Sequence, residues 1–413
     1  MRILSGKAAA ACVGRVADRG GRLAAVEPAV RRIIADVRRN GDHALRKYAE
    51  RWDQLERGAS LRVPGEEIQA AWRAASPELK RSLRVAAANI RRFCEMQKPS
   101  EWARKKGGIS LGQLVRPLSF VGCYVPGGRY PLVSTLLMTA IPAQTAGVEK
   151  IVVVTPRPHR DVLAAAAAIG VEDVYRVGGA QAVAALAYGT ETIPRVDKIV
   201  GPGNLYVTAA KKAVAFDCSI DFLAGPTEGL IVSDAGTPEF VAADLVAQAE
   251  HDPEALAVFI TTHRDLAKRV ASCVKELSAD NAVARRALER NGAILVSRSR
   301  EQSLEWANEI APEHLTIGRA DIGMVRNAGS VFIGDYSPQA AGDYASGPNH
   351  VLPTGGAARF RGGLSVLDFV KLISVQKLSR AGLKQIAPAI EVLANTEGLE
   401  AHAQSIRVRC RDA

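Results

Sequence analysis

Short apolar segments that alternate with helix-like segments constrain the fold of this 413-residue chain more than any other feature. Each apolar segment is followed by a longer stretch with apolar residues at helical spacing. The apolar segments form two groups: Phe120–Val125, Ile151–Thr155, Val174–Val177 and Lys198–Val200, then Leu230–Ser233, Val258–Thr261 and Ala293–Val296. This alternation predicts an α/β fold with two parallel sheets joined by crossover helices.

The segments that flank this alternation are predicted to be helical, because their apolar residues recur at helical spacing. The expected helices are Val26–Asn40, His43–Trp52, Gly65–Glu95, Leu367–Leu378 and Lys384–Glu397. At this length one hydrophobic core is rarely enough, so two or more domains are expected.

Composition excludes several classes of protein. No apolar stretch reaches the length of a membrane span, and the N-terminus lacks the layout of a secretory signal, so a cytoplasmic protein without a membrane partner is expected. The six cysteines show no paired spacing, which indicates reduced thiols and argues against a thiolate zinc site. The net charge of +11 is dispersed, and its densest run is only Arg104–Lys106, so no nucleic-acid partner is expected.

Glycine-rich turns follow three of the predicted strands in the first group. They are Pro126–Gly128, Val177–Gln181 and Gly201–Asn204. A glycine turn at the carboxyl end of a parallel strand lets backbone N–H groups approach a phosphate closely. The GxGxxG fingerprint is absent, so the turns predict a nucleotide held in an atypical way, and ordinary tight turns remain the alternative.

Several polar groups interrupt otherwise apolar or glycine-rich segments. Gln248 and His251 are predicted to share one face of an alanine-rich helix, where a metal or a substrate could be held rigidly. Adjacent Glu313 and His314 offer two proton-transfer groups within one turn. Asp343 follows a glycine. For each group a structural role, as a buried hydrogen-bonded side chain, a helix cap or an Asx turn, remains open.

The order of the longer motifs resembles that of the histidinol dehydrogenase family. The motifs are Tyr124-Val-Pro-Gly-Gly, Gly179-Ala-Gln181, Gly201-Pro-Gly-Asn204, Ala224-Gly-Pro-Thr227-Glu, Gln248-Ala-Glu-His251, Ala311-Pro-Glu-His314, Gly342-Asp-Tyr, Asn349-His-Val-Leu-Pro-Thr354 and Glu397-Gly-Leu-Glu-Ala-His402. They are long, colinear and spread over nearly the whole chain. The resemblance implies a zinc- and NAD-dependent oxidoreductase that converts L-histidinol through histidinal to L-histidine, with two NAD and one water, in the last two steps of histidine biosynthesis.

The resemblance also implies an architecture. It is an intertwined homodimer whose subunits have two similar incomplete Rossmann-type domains with parallel sheets, a helical N-terminal region and a helical C-terminal tail. We expect residues 1–118 and 225–365 to form the first domain, on the substrate and zinc side. Residues 119–224 are expected to form the second, NAD-binding domain, and residues 366–413 to be helical and swapped onto the partner subunit.

The resemblance assigns roles to residues of this chain. Zinc, one ion per subunit, is expected on Gln248, His251, Asp343 and His402. The same four residues, with Thr227, His314, His350 and Glu397, are expected to contact L-histidinol. Thr227 stands where the family usually has serine, so it keeps the hydroxyl and adds a methyl group. The metal of this family is regarded as positioning the substrate, not as performing the redox step.

The family's acid–base pair falls on Glu313 and His314. With an ordinary pKa near 6.5, a neutral His314 is expected to take the alcohol proton, and Glu313 to activate the water that adds to the aldehyde. Tyr124, Gln181 and Asn204 correspond to the family's NAD contacts, and all three lie on or beside the glycine turns.

Two other enzyme classes fit part of this pattern. A relative that oxidises another small alcohol, such as a sulfonated propanediol, would share the zinc and the acid–base pair, but Glu397 would repel a sulfonate. A zinc hydrolase would also use Gln, His and Asp around a metal-bound water, but it leaves the glycine turns unexplained.

Overall fold

The structure, a computed structural model, describes residues 1–19, 23–127 and 131–411. It divides into two compact units, Met1–Gln97 with Ser119–Phe369 and Lys98–Leu118 with Val370–Ala413. The predicted α/β fold with parallel sheets is confirmed.

The strands, in chain order, are β1 (Arg2–Ser5), β2 (Trp102–Lys106), β3 (Ile109–Pro117), β4 (Phe120–Tyr124), β5 (Lys150–Val154), β6 (Asp173–Tyr175), β7 (Lys198–Val200), β8 (Ser219–Ile220), β9 (Glu228–Val232), β10 (Leu256–Thr261), β11 (Gly292–Val296), β12 (His314–Ile317), β13 (Ser330–Ile333) and β14 (Val370–Leu378). The helices are α1 (Gly6–Ala17), α2 (Glu27–Trp52), α3 (Gly65–Ala74), α4 (Pro77–Met96), α5 (Val133–Ala146), α6 (Arg160–Ala168), α7 (Gly179–Tyr188), α8 (Leu205–Val214), α9 (Pro238–Ala249), α10 (Arg264–Leu277), α11 (Ala282–Arg290), α12 (Arg300–Ile310), α13 (Gln339–Tyr344), α14 (Arg380–Thr396) and α15 (Glu400–Cys410).

A six-stranded sheet of the first unit has the order β1-β11-β10-β9-β12-β13, with every neighbouring pair parallel. Its central strands β9 and β10 are buried along their whole length. Leu230 and Val232 pack with α1 and α12, whereas Ile231 packs with α9, α10 and α11. Because successive side chains point to opposite faces, the apolar run of β9 serves both helical layers.

A five-stranded parallel sheet of the same unit has the order β6-β5-β4-β7-β8. Its core includes residues of α2, α7 and α8, such as Val30, Ala184 and Val207. Within the range 1–118, β1 and α1 therefore go with the six-stranded sheet, and α2 goes with the five-stranded one. Both sheets lie in one compact unit, and the division into two Rossmann-type domains stays a prediction.

The N-terminal helices differ from the sequence-based expectation in detail. The predicted helices on either side of residue 41 are one helix, α2, with a kink at Gly41 (φ 49°), where a Cβ would lie 2.4 Å from the Glu191 carboxylate. The single helix predicted over 65–95 is interrupted at Ser76, whose hydroxyl caps α4 by accepting from Leu79 N at 3.1 Å. No helix within the described residues is long and apolar enough to cross a membrane.

The second unit holds an antiparallel sheet of order β14-β3-β2 and the helices α14 and α15. The predicted helix over Leu367–Leu378 is wrong, because most of that range is strand β14, which pairs with β3 from Val370↔Pro117 to Leu378↔Ile109. A partner strand more than 250 residues away in sequence decides this conformation, and local periodicity carries no signal for it. The C-terminal tail is therefore helical only from Arg380.

Candidate active site

Glu313 and His314, the predicted acid–base pair, lie at the amino end of β12, between the neighbouring strands β9 and β13. The helix α12 ends at Ile310 and is followed by Ala311, which has a positive φ of 52°, and Pro312 and Glu313 then lead into the strand. His314 is in register with Gly229 of β9 and Ser330 of β13. Because both neighbours are hydrogen-bonded strands, the backbone that carries the pair is held on both sides.

Glu313 is a buried carboxylate with two hydrogen-bond donors. Its Oε2 accepts from Thr227 Oγ1 at 2.6 Å and from Glu228 N at 2.8 Å. Burial raises the pKa of Glu313 well above its usual range, although the nearby His314 charge and the Thr227 hydrogen bond act in the opposite direction. A carboxylate of raised pKa is a stronger base, so Glu313 is suited to accept a proton near neutral pH.

His314 is flanked by carboxylates on both ring nitrogens. Nδ1 lies 3.7 Å from Glu313 Oε2 and 3.3 Å from Glu228 O, and Nε2 lies 3.1 Å from Asp343 Oδ1. Burial lowers the pKa of His314, but the Glu313 and Asp343 carboxylates outweigh burial and raise the pKa above its ordinary value. The expectation of an unperturbed pKa is therefore wrong.

A chain of two hydrogen bonds links the buried Gln248 to Glu313 through Thr227. Gln248 Nε2 donates to Thr227 Oγ1, and the same hydroxyl donates to Glu313 Oε2. A carboxylate can only accept, so the hydroxyl proton points toward Glu313, and the amide nitrogen of Gln248 must face Thr227. Gln248 therefore keeps its carbonyl oxygen Oε1 for another partner.

Asp343 and His350 form a second cluster beside His314. His350 Nδ1 lies 2.8 Å from Asp343 O, and His350 Nε2 lies 3.4 Å from Thr135 Oγ1 of α5. Burial raises the pKa of Asp343. The His314 hydrogen bond and the charges of His314, His350 and His251 lower the pKa by more than burial raises it, so the net shift is downward. The structure thus brings Asp343 and His350 to Glu313 and His314, and it places His251 where its charge acts on Asp343.

His251 does not lie on the helix that the sequence predicted. The helix α9 ends at Ala249, so it carries Gln248 in its last turn and leaves His251 just beyond it. Pro253 follows within two residues and disfavours helix before it, and Asp252 Oδ1 accepts from Glu254 N at 2.8 Å in the turn. Exposed His251 is therefore presented on a turn.

Three of the four expected zinc ligands, Gln248, His251 and Asp343, belong to the first unit. No three His, Cys, Asp or Glu side chains of the described ranges come together as a metal site. The oxygen of Gln248, one nitrogen of His251 and the carboxylate of Asp343 are donors that zinc accepts, and one carboxylate leaves the ion net positive. A fourth donor is needed for a tetrahedral site.

Glu397 and His402 belong to the second unit. Glu397 follows the last residue of α14, the next residue, Gly398, has φ 74°, and exposed His402 lies in the first turn of α15. Their roles as substrate contact and metal ligand stay predictions.

The expected NAD residues lie at the carboxyl ends of strands in the five-stranded sheet. Tyr124 ends β4, and its Oη accepts from Gly179 N at 3.0 Å. Gln181 is buried in the first turn of α7, and its Nε2 donates to Asp53 Oδ2 at 3.1 Å. Asn204 caps α8, where its Oδ1 accepts from Tyr206 N at 3.0 Å and from Val207 N.

The glycine turns beside these residues have a steric reason. Gly201 has φ 112°, and a Cβ there would lie 2.2 Å from the carbonyl oxygen of Tyr124. Only glycine lets the two strand ends approach this closely. Gly128, the last residue of the first predicted turn, lies outside the described residues.

Two residues of the site were not predicted to act in it, although Glu228 is the last residue of the motif Ala224-Gly-Pro-Thr227-Glu. Glu228, next to Thr227, is only 2% exposed and pairs with Arg19 at 2.5 Å. Asp53 is buried and accepts from Gly178 N at 2.9 Å as well as from Gln181. Glu228 could have been suspected from its place in an otherwise apolar strand, but its partner is 209 residues away in sequence.

Comparisons with known proteins agree with one another. The family model described as histidinol dehydrogenase matches residues 18–410. The histidinol dehydrogenase of Syntrophotalea carbinolica is 48% identical over 402 residues, which cover 94% of this chain and 93% of the relative. That of Methanothermobacter thermautotrophicus is 49% identical over 396 residues, 92% of each chain. The crystal structure of histidinol dehydrogenase from Elizabethkingia anophelis superposes with a TM-score of 0.95 at 36% identity and covers 99% of this chain and 98% of that one.

Proposed function

The chain belongs to the histidinol dehydrogenase family, and from this premise we propose that it oxidises L-histidinol through histidinal to L-histidine, with two NAD and one water. The observation that carries the proposal is the buried pair of Glu313 and His314, whose Oε2 and Nδ1 atoms lie 3.7 Å apart. Thr227, Gln248, Asp343 and His350 surround the pair, as the proposed substrate contacts require.

In the first oxidation His314 accepts the hydroxyl proton of the alcohol. Nδ1 faces the carbonyl oxygen of Glu228 and Nε2 faces the Asp343 carboxylate, and since both of these groups can only accept, the contacts favour a ring that carries hydrogen on both nitrogens. His314 must therefore release its second proton before it can act as a base. NAD, when bound, supplies the acceptor for the hydride that leaves the carbinol carbon.

In the second oxidation Glu313 accepts a proton from water as the water adds to the aldehyde. The Thr227 hydroxyl and Glu228 N hold one carboxylate oxygen, Oε2, which fixes the orientation of the group. Burial excludes competing water and raises the pKa of Glu313, so both effects favour proton transfer at neutral pH.

We propose that zinc binds Gln248, His251 and Asp343 of one subunit with His402 as the fourth ligand. The metal would supply a positive template that orients the amino alcohol. The Thr227 hydroxyl supports this assignment, because it engages Gln248 Nε2 and directs Oε1 to the role of ligand.

We also propose that His402 and Glu397 act in the site of the partner subunit of a homodimer. The second unit has exposed apolar side chains on its strands and helices, among them Leu111, Leu372, Ile373, Val392 and Leu393, each more than 40% exposed. Apolar surface of this extent is typical of protein that is covered by another chain.

The proposed function is tested by the stoichiometry of turnover. Purified protein with zinc should form two NADH and one histidine for each L-histidinol consumed, with no free histidinal. Release of histidinal after one NADH, or no oxidation of histidinol in the presence of zinc, would contradict the assignment. A sulfonated propanediol serves as the control substrate, and its preferential oxidation would favour the other alcohol dehydrogenase.

A further inference from the structure

A buried ion pair joins Arg19, which follows α1, to Glu228 at the start of β9. Arg19 Nε donates to Glu228 Oε1 and Nη2 donates to Oε2, both at 2.5 Å. The Glu228 side chain is 3% exposed and that of Arg19 is 19% exposed. An ionised carboxylate in such surroundings needs a hydrogen-bonded partner, and the planar guanidinium offers two parallel donors.

Glu228 contacts the acid–base pair through three of its groups. Its backbone N donates to Glu313 Oε2, its carbonyl oxygen lies 3.3 Å from His314 Nδ1, and its carboxylate accepts from Glu313 N at 3.3 Å. The carboxylate also accepts from Gly355 N at 2.7 Å. The backbone of Glu228 therefore contacts both proton-transfer groups, and its side chain holds the backbone of Glu313.

Arg19 holds the other side of the same turn. Its Nη1 donates to Ile310 O at 2.9 Å and its Nη2 to Ala311 O at 3.4 Å, at the carboxyl end of α12. Ala311 has a positive φ of 52°, a conformation that a residue with a Cβ rarely adopts unless its surroundings impose it. A cation at this helix end satisfies carbonyl groups that have no partner within the helix.

We propose that Arg19 is a positioning residue for Glu313 and His314, and that it acts by holding Glu228 and the 310–313 turn in one arrangement. The inference rests on the proposed function for its kinetic consequence only. Because five donors in a fixed plane are shared between a carboxylate and carbonyl groups, the role requires arginine and not merely a positive charge.

Kinetics of L-histidinol oxidation provide the first test. Arg19→Met should lower kcat by about 100-fold, as expected when reacting groups are misplaced by about 1 Å, with little change in KM for L-histidinol. Arg19→Lys, which keeps the charge and is the milder change for folding, should show an intermediate loss. Guanidinium ion should restore part of the activity of Arg19→Ala and none of that of Arg19→Lys.

The matched control is Arg300→Met. Arg300 is the first residue of α12, whereas Arg19 contacts the carboxyl end of that helix. Arg300 pairs with Asp321 through Nε at 2.7 Å and with Asp234 at 3.3 Å, away from Glu313 and His314. It should lower stability while kcat stays near that of the wild type. An equal kcat loss in both variants would overturn the proposal, since a general loss of stability would then explain it.

Amide hydrogen exchange tests the positioning without turnover. Arg19→Lys and Arg19→Met should speed exchange in peptides that contain Glu313 N and Gly355 N, and Arg300→Met should not. Unchanged exchange at both amides would overturn the role of Arg19, whatever the kinetics show. If wild-type protein fails to oxidise L-histidinol, the proposed function fails, but the exchange measurement still decides whether Arg19 holds the turn.

Discussion

Replacement of Thr227 by valine should disconnect Glu313 from Gln248 with almost no change in shape. The hydroxyl of Thr227 accepts from Gln248 Nε2 and donates to Glu313 Oε2. Valine fills the same volume but has no hydroxyl, so it removes both hydrogen bonds at once. Thr227→Ser keeps the hydroxyl and deletes only the methyl group, and is therefore the matched control.

Two magnitudes follow from the geometry. A hydrogen bond to a charged group contributes about 1.5–3 kcal/mol, or about one to two pH units of pKa. Glu228 N still donates to Glu313 in the variant, so we expect the pKa of Glu313 to rise by about one unit. Loss of the group that orients a metal ligand typically weakens metal binding by about 10–100-fold, and that range applies to zinc at Gln248.

The assay is the pH dependence of histidinal oxidation together with zinc affinity measured by competition with a chelator. Activity needs ionised Glu313 and falls as pH drops through its pKa. A raised pKa therefore moves the acid limb of the profile upward. Thr227→Ser should leave both the limb and the zinc affinity near the wild-type values. If Thr227→Val matches Thr227→Ser in both measurements, the hydroxyl does not connect Gln248 to Glu313.

Three further predictions concern the same site and its supports. His314→Asn should impair both oxidations, whereas Glu313→Gln should slow mainly the oxidation of histidinal, by about 10²–10⁴-fold; equal slowing of the two steps by Glu313→Gln would refute this division. Burial raises the pKa of Asp244 to about 6, so the folded state disfavours its ionised form and stability is lost as pH rises from about 4 to 6. Asp244→Asn should therefore stabilise the protein at pH 8 by up to about 3 kcal/mol and have no effect below pH 4 in denaturant unfolding, and equal effects at both pH values would refute the burial argument. Mixing His402→Ala with His314→Asn chains should restore activity if subunits share sites, because mixed dimers then contain one intact site; no recovery after subunit exchange would show that each chain builds its own.

The sequence predicted those elements whose conformation depends on neighbours in the chain. Strands β4, β5, β9 and β10 were expected within a few residues of their bounds, since both faces are buried and the apolar runs are continuous. The break expected at Gly41 from its residue type corresponds to a kink inside the single helix α2. Strands β3 and β14 were missed, because neither contains a fully buried residue and β14 pairs with a strand more than 250 residues away in sequence.

The site was predictable to a similar extent and for a similar reason. Glu313 and His314 are adjacent in sequence, so their pairing needs no long-range information. Contact between Asp343 and His314 spans 29 residues, and that between Thr227 and Glu313 spans 86, and only the family resemblance brought these residues together beforehand. Arg19 belongs to no motif, and only the folded chain reveals its contact with Glu228.

The residues expected to act in the proposed reaction lie at the carboxyl ends of the strands in one sheet and at the amino ends in the other. In the five-stranded sheet the expected NAD residues follow the carboxyl ends of the strands, where ligands of open parallel sheets usually bind. In the six-stranded sheet Glu228 and His314 stand at the amino ends of β9 and β12. The carboxyl ends of β9 and β10 are instead occupied by ion pairs and hydrogen bonds of Asp234, which accepts from Thr262 N at 2.6 Å and pairs with Arg300.

A short series of side-chain contacts connects the carboxyl end of β4 to the amino end of β12 within the first unit. Thr135 lies in the first turn of α5, the crossover helix that leaves the carboxyl end of β4, and its hydroxyl contacts His350 Nε2. His350 Nδ1 in turn contacts the backbone of Asp343, and Asp343 Oδ1 contacts His314 Nε2. The side of the fold that carries the expected NAD residues therefore reaches Nε2 of His314 through His350 and Asp343. The proposed alcohol oxidation requires a hydride acceptor and a proton acceptor at one carbinol group, and this path links the sheet of the expected NAD residues to the proposed proton acceptor His314.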